Sequence, residues 1–309
     1  MVLNERISFE RILCPIGLMP DSDEALRYAT ALAKAFSASL TVMHCTESSA
    51  EMSLIDRSHI ETTLGDSVTK YLRLDGRAGI ETKIVVVEGD PQVAVTREAA
   101  RRRIDLIVMR SRRRPYRAAL LGSTAESICR TAPCPVLVTH ASEVEWAGRT
   151  TNDIGFERVL VAYDYSTDSE LALSYGLSLA QEYQAELHLI HVLPLRVRAE
   201  APEIAYMPFG FEPSFNETAS RLNSAVPGGA RLWCDIKHAV REGHPYREVL
   251  AYAEEQDIDL ICMGASGTGF GMRALFGSNA DRVLRQAQCP VFIARPLRPM
   301  IASPVAASA

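Results

Sequence analysis

The sequence predicts an α/β protein of two tandem doubly wound domains, each a five-stranded parallel sheet in the order 3-2-1-4-5 flanked by helices. Three observations carry this expectation. Short β-rich runs alternate with helical patterns, as βαβ units do; the alternation is run through twice; and the two rounds match motif by motif. Arg11-Ile-Leu-Cys matches Arg158-Val-Leu-Val and Met43-His44 matches Ile190-His191, both at an offset of 147. Glu88-Gly-Asp-Pro matches Glu242-Gly-His-Pro and Ile104-Asp-Leu-Ile matches Ile258-Asp-Leu-Ile, both at 154. Gly122-Ser123 matches Gly277-Ser278 and Cys134-Pro-Val matches Cys289-Pro-Val, at 155. The growing offset puts seven extra residues between the second and third strands of the second copy, and one more inside the loop before Gly277.

Taken in order, the first copy opens on its Arg11 strand and continues into a helix whose Ala25, Leu26, Ala29, Leu32, Ala33 and Phe36 share one face. In the second copy the strands are expected at about Arg158 to Tyr163, Glu186 to Leu193, Cys234 to Val240, Ile258 to Met263 and Pro290 to Ala294. Ala172, Leu173, Gly176, Leu179, Ala180 and Tyr183 repeat the first helical stripe, and Ala280, Val283, Leu284 and Ala287 form another that begins just past Ser278. Between the copies, residues 141–156 are polar and rich in turn formers, which reads as a linker. The Pro-, Ala- and Ser-rich tail, 297–309, is expected to be disordered.

Composition narrows the class. The 309 residues are 47% hydrophobic and 23% charged, enough for two globular domains. A net charge of −5 argues against nucleic-acid binding. No apolar run approaches the ~18 residues of a membrane helix, and the start lacks a secretory apolar core, so a cytoplasmic protein is expected. Seven cysteines without a C-x-x-C pair, most in apolar strand-like runs, read as reduced core residues.

The stretch richest in chemistry is Gly264-Ala-Ser-Gly267, nine residues, then Gly277-Ser278-Asn279. Glycines let a backbone approach an anion, and a helix N-terminus adds partial positive charge. It is neither a Walker A loop, for no Gly-Lys-Ser/Thr follows, nor the dinucleotide G-x-G-x-x-G. In a 3-2-1-4-5 sheet, strands one and four meet at the switch point, where such folds take ligands. The loop after Tyr163, with Asp164 and Ser166, therefore faces the loop after Met263. A carboxylate there suits a ribose hydroxyl or a base amino group, and the glycine loop suits phosphates.

Both copies resemble universal stress protein domains, over roughly residues 8–140 and 157–296. The landmarks in the second copy are Val161-Ala162-Tyr163-Asp164-Tyr165-Ser166, His191-Val192, Gly243-His244-Pro245, and Met263-Gly264 through Asn279. The resemblance implies that Asp164 and Val192, with Ala162, Tyr163 and Met263 beside them, line the adenine and ribose region. It implies that Gly264, Gly267, Gly277, Ser278 and Asn279 hold the phosphates of ATP, with Mg²⁺ or Mn²⁺ carried on them. It further implies an internal pseudo-dimer, with strands Pro135 to Thr139 and Pro290 to Ala294 edge to edge, and allows a homodimer.

The first copy departs from the pattern at three matching places: Asp164 corresponds to Gly17, Gly264 to Arg110, and Gly267 to Arg113. It is expected to keep the fold and to have lost ATP binding of this type. Arg110, Arg112, Arg113, Arg114 and Arg117 read either as a solvated basic loop or as a site for another anion. Arg273 reads either as a phosphate contact or as a solvent-facing side chain. His188 and His191, three apart on a strand, point to opposite faces and read as packing residues; His244 reads as part of the turn into a helix. The aromatics of 205–213 suit either a self-packed loop or a cover over the nucleotide. No catalytic base, Cys/His pair or Ser/His/Asp set stands out. The leading expectation is a nucleotide-dependent regulator of protein partners in a stress response. A nucleotide-independent interaction module and a slow ATP-hydrolysing or adenylating enzyme stay open beside it.

Overall fold

A computed structural model describes residues 7–18, 23–46, 54–73, 79–111, 122–140, 155–195, 215–267 and 276–297. The chain forms two compact units, built chiefly from Phe9–Arg113 with Leu121–Ile154, and from Gly155–Ala294. The linker 141–154, the basic positions 112–117, the aromatics of 205–213, Arg273 and the tail beyond 297 lie outside the described residues.

The first unit runs β1 (Arg11–Pro15), α1 (Asp23–Phe36), β2 (Ser39–Thr46), α2 (Leu54–Arg73), β3 (Thr82–Glu88), α3 (Pro91–Arg101), β4 (Leu106–Ser111), α4 (Ser123–Thr131) and β5 (Val136–His140). Its strands are parallel in the order β3-β2-β1-β4-β5. The second unit repeats the plan with β6 (Arg158–Ala162), α5 (Thr167–Tyr183), β7 (Glu186–Leu193), α6 (Phe215–Ala225), β8 (Ile236–Glu242), α7 (Pro245–Glu255), β9 (Leu260–Gly264), α8 (Ser278–Gln286) and β10 (Val291–Ala294). Its order is β8-β7-β6-β9-β10, again all parallel. The expected 3-2-1-4-5 order is therefore present in each unit. Cys234, expected to open the third strand, instead lies two residues ahead of β8 and buries its thiol beneath the Ala185 carbonyl. Among the described residues no helix is long and apolar enough to cross a membrane.

The physical cause of the plan is visible in the core. Parallel strands covered on both faces must be apolar throughout, and Ile12 to Cys14, Leu106 to Val108, Val159 to Val161 and Leu260 to Cys262 are all fully buried. All six residues of the α1 stripe are buried, as are Ala280, Val283, Leu284 and Ala287 at α8. No disulfide joins the seven cysteines, and burial pushes the Cys45 and Cys234 thiols up to about 11.

The repeated motifs perform the same task in each unit. The aspartate of Ile-Asp-Leu-Ile accepts the backbone N–H groups that open the first strand: Glu10 and Arg11 donate to Asp105 at 2.9 and 3.1 Å, Glu157 and Arg158 to Asp259 at 2.9 Å each. The strand-two histidine donates through Nδ1 to the carbonyl just past strand one, His44 to Ile16 at 2.9 Å and His191 to Tyr163 at 2.7 Å. The glycine of Gly-x-Pro donates its N–H to the end of strand two, Gly89 to Thr46 and Gly243 to Leu193.

His188 is fully buried on β7, with Nδ1 2.9 Å from the Tyr252 hydroxyl and Nε2 3.3 Å from Glu186. Burial outweighs the Glu186 carboxylate and holds its pKa below the ordinary histidine value of 6.5. The imidazole is thus neutral in the fold. Its contribution is full above that value and is lost as pH falls through the depressed folded value. Urea unfolding of the second unit should show a midpoint that drops on going from about pH 8 to about pH 5, and His188→Gln should flatten part of that drop. An identical pH profile in the variant would remove His188 from the account.

Candidate functional site

In the second unit, Ala162 at the end of β6 pairs with Met263 of β9 on one side and Ile190 of β7 on the other. Strand order reverses between β6 and β9, which leaves a crevice beyond their carboxyl ends. Tyr163 follows Ala162, is 7% exposed, and donates its N–H to the Ile190 carbonyl at 2.9 Å. Val192 lies at the same end of β7, opposite Arg241 of β8. Asp164 comes next, and its Oδ1 accepts from the Ser166 N–H at 3.1 Å and the Ser166 hydroxyl at 2.5 Å. Tyr165, between them, takes a left-handed conformation with φ 63°. Ser166 then caps α5, accepting from the Ser169 N–H at 3.2 Å. The sequence Asp-Tyr-Ser-Thr therefore folds as an Asx turn that runs into a capped helix, and the turn fixes the carboxylate.

Across the crevice, β9 ends at Met263 and Gly264. The Ala265 N–H is bonded to the Ala294 carbonyl at 3.0 Å, and the returning chain is held where Gly277 donates to the Ala265 carbonyl at 2.8 Å. A β-carbon at Gly267 would lie 2.6 Å from Asp164 Oδ2. One at Gly264 would lie 2.7 and 2.8 Å from the β-carbon and carbonyl carbon of Asp168. The two loops are thus in direct contact; Gly264 is required by the backbone it meets at Asp168, while a side chain at Gly267 would displace the Asp164 carboxylate. At Gly277 the nearest atom would be the Ala265 carbonyl oxygen at 3.4 Å, an ordinary approach. Gly277 is the N-cap of α8 and supplies no side-chain cap, while Ser278 and Asn279 are exposed. The Asp281 N–H donates to the Gly277 carbonyl at 2.9 Å, while among the described residues no acceptor faces the N–H groups of Ser278, Asn279 and Ala280.

Two features of the site were not read from the sequence. Asp168, in the first turn of α5, accepts from both the N–H (3.0 Å) and the hydroxyl (2.8 Å) of Ser266, 98 residues away. Its position at a helix N-terminus is an ordinary place for an acid, and no local pattern announces the long-range partner. Secondly, Arg221 of α6 places its guanidinium 3.9 Å from the Tyr165 ring centroid, and that ring also packs on His191 and Tyr163 at 4.9 and 5.0 Å. Burial raises the pKa of both tyrosines, with Arg221 opposing, so the phenols stay protonated. His244 is the N-cap of α7, without a side-chain cap bond.

The first unit differs at the matching place. β4 and β5 stay paired through Arg110–Thr139 and Ser111–His140. The corresponding ladder of β9 and β10 stops at Gly264–Ala294, which matches Arg110–Thr139. Strand pairing thus continues one residue further where the second unit turns into its glycine loop, and Gly17 stands where Asp164 would be. Of the five arginines, Arg110 alone falls among the described residues.

Two tandem doubly wound units, the second with an aspartate turn and a glycine loop meeting at the switch point, define an α/β protein of the doubly wound class. The family model for the universal stress protein family matches residues 8–140 and 155–295, and the chain belongs to that family. A universal stress protein of Mycobacterium tuberculosis is 27% identical over 225 residues, 72% of this chain and 70% of its own. One of Bacillus subtilis is 30% identical over 147 residues, 45% of this chain and 99% of its own. The crystal structure of a universal stress protein from Archaeoglobus fulgidus superposes with a TM-score of 0.67 at 23% identity, covering 94% of this chain and 98% of that one, a likeness of fold.

Proposed function

We propose that the second unit binds ATP, at one site per chain, and that occupancy of this site regulates protein partners in a stress response. The observation that carries the reading is the meeting of the Asp164 carboxylate with the glycine loop beside the uncapped N-terminus of α8. Asp164 would take the ribose, with Ala162, Tyr163, Val192 and Met263 around the sugar and base. Gly264, Gly267, Gly277, Ser278 and Asn279 would hold the phosphates, whose negative charge suits the helix end. Among the described residues no group of three His, Cys, Asp or Glu side chains is placed to hold a metal ion; Mg²⁺ or Mn²⁺ would ride on the phosphates. In the first unit, Gly17 in place of the carboxylate and the extended β4–β5 ladder both support the loss of this site.

Mass spectrometry of ligand released from the purified protein should find an adenine nucleotide, and calorimetry of the stripped protein should titrate to one ATP per chain. ATP at about one hundred times its dissociation constant should stabilise the second unit by about 2.7 kcal/mol. Two equivalent sites would overturn the one-site assignment. No bound nucleotide and no thermal shift would overturn ATP binding and favour an interaction module instead.

A further inference from the structure

We propose that Asp168 is the positioning residue for the phosphate end of the site, holding Ser266 so that the N–H of Gly267 is presented to the ligand. This rests on the ATP reading above and adds to it the element that holds the loop's first end at Ser266 and Gly267.

Backbone accounting leads to Asp168. A buried or half-buried N–H needs an acceptor, and the loop's two ends divide theirs between the protein and the crevice. The Ala265 N–H goes to Ala294, the Ser266 N–H to Asp168, and the Gly277 N–H to Ala265. Among the described residues this leaves the N–H groups of Gly267, Ser278, Asn279 and Ala280 as the donors available to an anion, since that of Asp281 goes to Gly277. Ser266 precedes Gly267 directly, so the bond that fixes the Ser266 peptide also aims the next one.

Asp168 is tightly packed at its backbone. Its β-carbon and carbonyl carbon sit where a β-carbon of Gly264 would come within 2.7 and 2.8 Å, so α5 packs hard on the end of β9. Both bonds from Ser266, through N–H and hydroxyl, converge on a single oxygen, Oδ2. A carboxylate beside the phosphate end is electrostatically unfavourable to a polyanion. Its value there lies in accepting two hydrogen bonds at one fixed point, and a carboxamide oxygen can accept the same two.

This gives a graded test in the full chain, reading MgATP affinity by calorimetry and the Ser266 amide by hydrogen exchange. D168N keeps the acceptor and removes the charge, and should bind ATP as the wild type does or more tightly. S266A keeps the N–H bond alone and should bind about threefold more weakly; D168A removes both and should lose at least about tenfold while Ser266 exchange accelerates. Comparison of the thermal transition without nucleotide separates this from general instability, because a merely structural loss lowers the transition and leaves the affinity of the folded fraction unchanged. Unchanged affinity in D168A, or a D168N as weak as D168A, overturns the role of Asp168 alone. A wild type that binds no ATP overturns the ATP reading and the positioning role together.

Discussion

Gly267→Arg is expected to abolish ATP binding while leaving the second unit folded. The β-carbon alone would come 2.6 Å from Asp164 Oδ2, so the carboxylate has to swing away from its place over the loop. Beyond the β-carbon, the arginine chain has somewhere to go, because Gly267 is exposed. Its guanidinium can pair with Asp164 and lie where the phosphates would sit, so one substitution takes both the sugar contact and the phosphate space. Affinity should fall at least about a hundredfold, equivalent to about 2.7 kcal/mol of binding free energy. Swinging the carboxylate away weakens its two bonds from Ser166, so the unfolding free energy should fall by about 1 kcal/mol, too little to unfold the unit. The first copy has already exchanged both members of the pair, with Gly17 for the aspartate and Arg113 for the glycine. The double variant Asp164→Gly, Gly267→Arg should therefore fold, with a loss of about 1–2 kcal/mol from the Asx turn, and bind no more than Gly267→Arg does. Retention of nucleotide by Gly267→Arg at wild-type levels would sink the site assignment.

The fold was legible because its signal is local and repeated. Fully buried parallel strands such as Leu260 to Cys262 are apolar without interruption, the stripe from Ala25 to Phe36 has helical period, and each is written twice at a fixed offset. Elements with thin apolar faces were harder to read. α2 spans twenty residues from Leu54 to Arg73, and among its described side chains Leu64 and Val68 are the buried apolar ones, while α6 buries Thr218 and Leu222. The glycine spacing placed the loop beside the Asp164 turn, where the structure has it, but the reason for two of the glycines was tertiary. Gly264 is required by the backbone of Asp168 and Gly267 makes room for the Asp164 carboxylate, contacts made across about a hundred residues of chain, as the 98-residue span of the Ser266–Asp168 bond shows. Arg221 over Tyr165 was invisible for the same reason: a cation–π pair leaves no periodicity in the sequence.

A second glycine tests the packing that supports the crevice from behind. Gly176 lies in the middle of α5, where a β-carbon would be 2.6 Å from Val161 Cγ2, 3.6 Å from Leu187 Cδ1 and 3.9 Å from Cys262 Cβ. Alanine in a helix gains about 1 kcal/mol over glycine, but overpacking a tight core costs about 1–3 kcal/mol. Here the overpacking wins, because Val161 is fully buried in β6 and its branched side chain is stiff. Gly176→Ala should thus destabilise the second unit by about 1–2 kcal/mol. Gly176→Leu, with three more carbons and no room for them, should cost more than about 4 kcal/mol and unfold the unit under mild conditions. The first copy indicates the compensation: Ala29 matches Gly176 and Cys14 matches Val161, so the helix gains a methyl group where the strand residue gives up its branch. Val161→Cys in the Gly176→Ala background should recover most of the loss, with a coupling of about 1–2 kcal/mol in a double-mutant cycle. Hydrogen exchange of the β6 amides reads this unit without interference from the other. Additive effects of the two substitutions would show that the tight approach of α5 to β6 is relieved by some other movement. Because α5 carries Asp168 and follows the Asp164 turn, nucleotide affinity in the Gly176→Ala, Val161→Cys pair should return along with stability.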